Sequence, residues 1–246
     1  MHILVTGGSR GIGAAVCRLA GARGWDVSLS YRSGAEAAGR VVADVEAAGG
    51  RALAQRADAA DEADGLALFA AAQAAFGPLD GVVANAGIAP RASRLADRDV
   101  AELRRLIDVN TVGALLTARE AVRAMSTARG GRGGSLVLVS SAATRIGSPG
   151  EFVDYAASKG AVDVLAIGLA REVAAEGLRV NSVRPGVTET EIHASMGDPG
   201  RGARLGATTP IGRAGSPDEI AEAILWLLTP QASYVTGAIL DVTGGR

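Results

Sequence analysis

A chain of 246 residues with 48% apolar side chains can bury one large core and calls for no second domain. Its formal net charge of -1 supplies no basic field for nucleic acid or a membrane surface, and its single cysteine, Cys17, excludes an internal disulfide. With only His2 and His193 as histidines, a catalytic metal or a histidine-based triad is poorly supported.

The first predicted strand, His2 to Thr6, runs directly into TGGSRGIG and then a helix that stops before Gly24. No basic leader with a long apolar stretch opens the chain and no apolar run reaches spanning length, so a cytoplasmic protein is expected. Strand, glycine loop and helix in that order are the setting that a dinucleotide pyrophosphate requires. Gly7, Gly11 and Gly13 let backbone come close to the phosphates, whose charge the helix N-terminus favours. Cys17 lies in the apolar stretch AAVCRLA and reads as packing.

The second strand, Asp26 to Tyr31, ends without the acidic residue that would bind the ribose hydroxyls of NAD. Arg32 stands 19 residues beyond Gly13, and with Ser9, Arg10 and Ser33 it offers charge-assisted hydrogen bonds to a ribose 2′-phosphate. NADP(H) is therefore expected over NAD(H), with a solvated surface arginine as the plainer reading of Arg32.

Further β-rich runs follow at Arg51 to Arg56, Gly81 to Ala84, Ser135 to Ser140, Arg179 to Val183 and Ile239 to Val242, separated by alanine-rich helical stretches. The alternation predicts an α/β protein with a doubly wound parallel sheet covered on both faces. Ala128 to Gly134 reads as a turn. The Gly-, Thr- and Pro-rich stretch 188–215 reads as a substrate lid or a plain surface insertion. Ser216, Pro217, Asp218 and Glu219 then supply an N-cap, an N1 proline and a capping-box acid for a helix through Leu228.

Lys159 is the only lysine, and it stands four residues after Tyr155, so on a helix the two share a face. An ammonium beside a phenol would lower its pKa from about 10 by up to roughly 3 units, a shift that burial opposes. A phenol so tuned exchanges a proton with a substrate oxygen near neutral pH. Taken alone, the spacing also fits an ordinary surface pair.

The set TGGSRGIG, NAG at Asn85 to Gly87, Asn110 in VNTVG, Ser141 in VSSAA, YAASK at Tyr155 to Lys159 and PGVTET at Pro185 to Thr190 resembles the short-chain dehydrogenase/reductase family along the whole chain. The resemblance implies one Rossmann-like domain with about seven strands, NAD(P)(H) as cofactor, no metal, and usually a homotetramer, whose interface the segment YVTGAILDVTGG would join. It implies Tyr155 as acid/base, Lys159 as the residue that tunes it and binds the nicotinamide ribose, Ser141 on the substrate oxygen with Ser140 as its rival, and Asn110 at a helix bend in the proton relay. For the cofactor it implies the loop through Ile12, Asp58 and Ala59 at the adenine, Asn85 with Ala86 and Gly87 along the ribose, and Pro185, Gly186, Thr188 and Thr190 at the nicotinamide amide and phosphates. Asp58, Asn85 and Thr190 also admit plain roles as a helix cap, a turn brace and a lid cap.

The substrate is less legible. Ile146, Val153, Ile192, Met196, Leu205 and Ile211 are expected to line an apolar pocket or to pack against the core. The chain is similar in outline to reductases of 3-oxoacyl groups on acyl carrier protein, whose acidic carrier Arg129 and Arg132 would meet near a less welcoming Glu176. A sugar, polyol or broad carbonyl dehydrogenase is the alternative, and a non-catalytic nucleotide sensor the remote one.

Overall fold

The strands are short, rich in Val, Leu and Ile, and bounded by helices whose alanine-rich faces pack on them. β1 (His2–Val5), β2 (Asp26–Tyr31), β3 (Arg51–Arg56), β4 (Gly81–Ala84), β5 (Gly134–Val139), β6 (Leu178–Pro185) and β7 (Ile239–Val242) form one parallel sheet in the order β3-β2-β1-β4-β5-β6-β7. The computed structural model describes residues 1–192 and 196–246; His193 lies outside the described residues.

Because side chains alternate along a strand, neighbouring residues serve opposite faces. Ile3, Val5, Val27, Leu29, Val83, Val137 and Val183 meet α1 (Gly11–Ala22), α2 (Ala35–Ala47) and α9 (Pro217–Leu228) through Val16, Ala20, Val41, Val45, Ile224 and Leu225. Leu4, Val82, Leu136, Leu138 and Val180 face α3 (Glu62–Phe76), α5 (Gly113–Met125) and α7 (Val153–Val173) through Leu68, Phe69, Ala118, Met125, Val162 and Ala166. Each fully buried aliphatic side chain contributes about 1.5–3 kcal/mol.

The predicted strands all form, with ends shifted by one or two residues: β1 stops at Val5, β5 begins at Gly134, and β6 runs on through Pro185. The stretch 188–215 is not all loop, since Arg201–Gly206 forms a short helix, α8. The capping box of α9 is complete: Ser216 Oγ accepts from Glu219 N–H, and the Glu219 carboxylate accepts from Ser216 N–H. Cys17 is fully buried, and burial pushes its thiol up to about 12. His2 is buried as well, with its ring nitrogens 3.0 Å from Gly77 O and Ser28 Oγ, so its role is in the core.

The helices that follow β4 and β5 also set the site. Between α4 (Val100–Ile107) and α5, residues Asp108–Val112 form a π-helical turn that carries Asn110 inward. After β5 comes α6 (Ala143–Ile146), and α7 begins seven residues later. The loops that leave the C-terminal ends of β1, β2, β4, β5 and β6 thus gather on one edge of the sheet.

Candidate active site

These loops enclose one continuous cleft of about 540 Å³. At one end lies the glycine loop between β1 and α1. Gly7 and Gly11 adopt φ of 66° and 52°, a region costly for other residues. A side chain at Gly13 would come within 2.4 Å of Gly7 O. Asn85 braces the loop from β4's end: its Nδ2 donates to Thr6 O at 2.9 Å and Gly7 O at 3.0 Å. The amide of Asn85 is thus committed to the turn, while the residue still forms part of the cleft wall.

The N-terminus of α1 carries no side-chain cap. Asp61, Asp99 and Ser216 cap α3, α4 and α9 with side-chain oxygens, but Arg10 makes no such bond and no acid stands in α1's first turn. The first N–H groups of α1 remain open toward the cleft, which fits a pyrophosphate. Ser9, Arg10, Gly11 and Ile12 line this end, and the methyl of Thr190 lies 3.3 Å from where a Gly11 side chain would begin.

Beyond β2, Arg32 and Ser33 line the same wall, with Asp58 and Ala59 opposite. Asp58 does not cap α3, a role that Asp61 takes. Its Oδ1 accepts from Ala60 N–H at 3.0 Å and its Oδ2 from Arg105 Nη2 at 2.7 Å. Burial alone would raise its pKa, but these bonds and the charges of Arg105 and Arg32 hold it below the ordinary value. Arg105, on α4, is a cleft residue that sequence reading misses, because only the fold brings it across from Asp58.

At the other end, α7 presents Tyr155 and Lys159 from one face, and the Tyr155 hydroxyl faces the Ser141 side chain across the cleft wall. Both serines line the cleft, and Ser140 Oγ donates to Lys159 O at 3.1 Å from a buried position whereas Ser141 is half-buried. Asn110 is wholly buried. Its Oδ1 accepts from Ile88 N–H, while Nδ2 donates to Ile88 O and to Ser158 Oγ, which in turn donates to Tyr155 O. The π-helical turn is thereby fastened to α7 one turn from the tyrosine. Ser158 is a second residue that the motif contains without announcing.

One expectation is corrected here. Burial raises the Tyr155 pKa, and the neighbouring Ser141 side chain only partly opposes that rise, so the net shift runs opposite to the one expected. Lys159 Nζ instead donates to Val139 O at 2.9 Å, and burial pushes its pKa down to about 8 against the pull of Asp163. Asp163 is held by Ser182 Oγ and Arg184 Nε at 3.0 and 2.9 Å. The phenol therefore stays protonated at neutral pH and is set up as a proton donor.

Pro185, Gly186 and Thr188 close the cleft from β6. Gly186 N–H donates to Val242 O, and a side chain there would come within 2.7 Å of Thr243 Cα, so the last strand is stapled against this segment. Ile146, Ile192, Met196 and Leu205 line the cleft as expected. Val153 and Ile211 do not: they lie outside the cleft lining and are 39% and 63% exposed. Phe152, Arg201 and Arg246 line it instead.

Comparison with known proteins gives a consistent picture. A family described as "Enoyl-(Acyl carrier protein) reductase" matches residues 7–246. The chain is 47% identical over 243 residues to the uncharacterized oxidoreductase YgfF of Escherichia coli, covering 99% of this chain and 98% of that protein. It is 39% identical to L-rhamnose 1-dehydrogenase (NAD(P)(+)) of a Sphingomonas strain, covering 99% and 94%. A short-chain dehydrogenase/reductase from Serratia marcescens superposes with a TM-score of 0.90 at 35% identity, covering 99% and 96%.

Proposed function

Since the chain belongs to the short-chain dehydrogenase/reductase family and is thus an oxidoreductase acting between CH–OH and C=O, we propose that it is an NADP(H)-dependent enzyme for small carbonyl compounds and secondary alcohols. The observation that carries this reading is that Tyr155, Ser141 and Lys159 line the same cleft that begins at the glycine loop.

When bound, the nicotinamide exchanges a hydride with the substrate carbon. The chain's own residues do the rest. The open N–H groups of α1 hold the pyrophosphate, and Arg32 with Ser33 and Arg10 takes a 2′-phosphate. Ser141 orients the substrate oxygen, and Tyr155 gives it a proton in reduction or takes one in oxidation. Lys159 supplies positive charge as the phenol loses its proton, and Asn110 keeps that turn of α7 in place.

The carrier-linked 3-oxoacyl reading has weaker support. Arg129 and Arg132 precede β5, so they sit at the N-terminal edge of the sheet, roughly 20 Å of strand away from the cleft edge. Glu176 there is bonded to Ser126. A cytoplasmic homotetramer belongs to the same proposal: exposed Ile107, Val112, Leu115 and Val164 on and between α4, α5 and α7 are apolar surface that assembly would cover.

The test is oxidation of NADPH and NADH over a panel of ketones, aldehydes and oxidised sugars, with the purified chain and with Tyr155→Phe and Arg32→Ala. We expect turnover that falls at least about 100-fold in Tyr155→Phe, and an Arg32→Ala loss confined to NADP(H). Tight cofactor binding without turnover on any member, or a preference for NADH, would sink the corresponding half.

A further inference from the structure

A chain of charges runs outward from the tyrosine end of the cleft, and hydride transfer itself has no use for its outer members. Asp163 stands four residues after Lys159 on α7, so the two share a face, and both are buried. Each is held by other groups: Lys159 Nζ donates to Val139 O at 2.9 Å on β5, while Asp163 accepts from Ser182 Oγ at 3.0 Å and Arg184 Nε at 2.9 Å on β6. Val139 pairs with Val183, the residue next to Ser182, so ammonium and carboxylate rest on adjoining strands within one residue of the same level. Farther out, Arg184 Nη1 lies 3.6 Å from Asp241 on β7, and Asp241 accepts from Arg145 Nη1 of α6 at 2.8 Å.

A buried ammonium stays charged only where another group opposes the cost of burial. Burial lowers Lys159 to about 8, and Asp163 is the charge that works against that fall. The other charged groups packed on α7 are matched elsewhere. Arg98 of α4 lies 2.8 Å from Asp154 in the first turn of α7, Glu120 of α5 pairs with Arg119 and Arg123, and Arg179 of β6 donates to Val235 O and Thr229 O. Asp108 of the π-helical turn is exposed, β5 brings no charged side chain, and Glu191, Arg201 and Arg246 stand across the open cleft. A direct ion pair would use up the donors of the ammonium. A carboxylate pinned one turn away preserves the charge and leaves the N–H groups that Val139 does not take for the cleft.

Resting on the hydride-transfer reading above, we propose that Asp163 is a positioning residue for the reaction: held still by Ser182 and Arg184, its carboxylate keeps the Lys159 ammonium charged on the face it shares with Tyr155 without binding it, and Arg184 sets how much of that negative charge the ammonium feels. The two members of the pair therefore act in opposite senses. Without the carboxylate the ammonium gives up its proton at lower pH, and without the guanidinium it keeps it to higher pH. A pair that only held β6 to α7 would shift both the same way or not at all.

The experiment follows kcat for ketone reduction across neutral and alkaline pH in the wild type, Asp163→Asn and Arg184→Gln, with circular dichroism as the check on folding. The asparagine can still accept from Arg184 and donate to Ser182, so it removes the charge and keeps the shape. The alkaline fall, centred at about pH 8 in the wild type, should move down by about one unit in Asp163→Asn and up by about half a unit or more in Arg184→Gln, with rates at about pH 6 within about fivefold of the wild type. A midpoint that either variant leaves in place, or moves in the same direction, overturns the proposal; should one variant not fold, the other decides alone. In parallel, the rate at which formaldehyde and cyanoborohydride methylate Lys159, read by mass spectrometry of its peptide, gives the same midpoint without a substrate. If no carbonyl compound is reduced by any form, hydride transfer fails, and the methylation curves decide the hold of Asp163 on the ammonium: opposite shifts support it, and superimposed curves or an amine that does not react overturn it.

Discussion

At the glycine-loop end the cleft is made of backbone: open N–H groups, glycines with positive φ, and an asparagine whose amide is spent holding the turn. At the tyrosine end it is made of buried side chains, nearly all engaged with a neighbour. The contrast separates two kinds of failure. Damage to the first end should show in cofactor affinity with chemistry spared, and damage to the second in turnover with affinity largely kept.

The largest expected effect is at the buried end. Lys159→Arg should leave the fold intact by circular dichroism but lower kcat/KM by about 100-fold or more, because a broad planar cation cannot reproduce the Val139 contact in that space. Near wild-type turnover would erase the distinction between the ends. At the backbone end, Arg10→Asp places a carboxylate where α1 has no cap. It should stabilise the fold by about 1 kcal/mol, yet weaken NADPH binding about tenfold by fluorescence titration, with saturated turnover little changed. A variant that binds NADPH unchanged would show that the open terminus holds no anion.

The pH dependence sharpens the same division. Reduction needs the phenol protonated and the ammonium charged. Burial keeps the phenol protonated beyond neutrality, whereas the ammonium, pushed down to about 8, is charged below that pH and loses its proton above it. The rate of ketone reduction should therefore be level near neutrality and about fourfold lower at about pH 8.5, while NADPH affinity moves less. A profile flat through pH 9 would remove Lys159 from the chemistry. The smallest effect is the control: Ser216→Ala opens the N-terminus of α9 at a cost of about 1 kcal/mol in thermal unfolding, with neither affinity nor turnover altered.

The backbone end was the more legible in the sequence, because glycine spacing, strand alternation and the Ser216–Glu219 box are local signals that local geometry obeys. The tyrosine end was legible in its members but not in its electrostatics. The spacing of Tyr155 and Lys159 places both on one face of α7, but it does not reveal that Val139 O takes the ammonium or that burial raises the pKa of the phenol. Arg105 opposite Asp58, Ser158 under Asn110, and the buried Arg98 beside Asp154 at 2.8 Å are pairings made by topology across 47, 48 and 56 residues, and no periodicity records them. Val153 and Ile211 failed as lining residues for the reverse reason: hydrophobic character does not say which way an apolar side chain turns.

This protein contains one lysine side chain, that of Lys159. Isotopic enrichment of that one amino acid would therefore give a nuclear magnetic resonance spectrum with a single side-chain signal, assigned without mutagenesis. Its chemical shift, followed across alkaline buffers with and without nucleotide, reads the charge state of the active site directly.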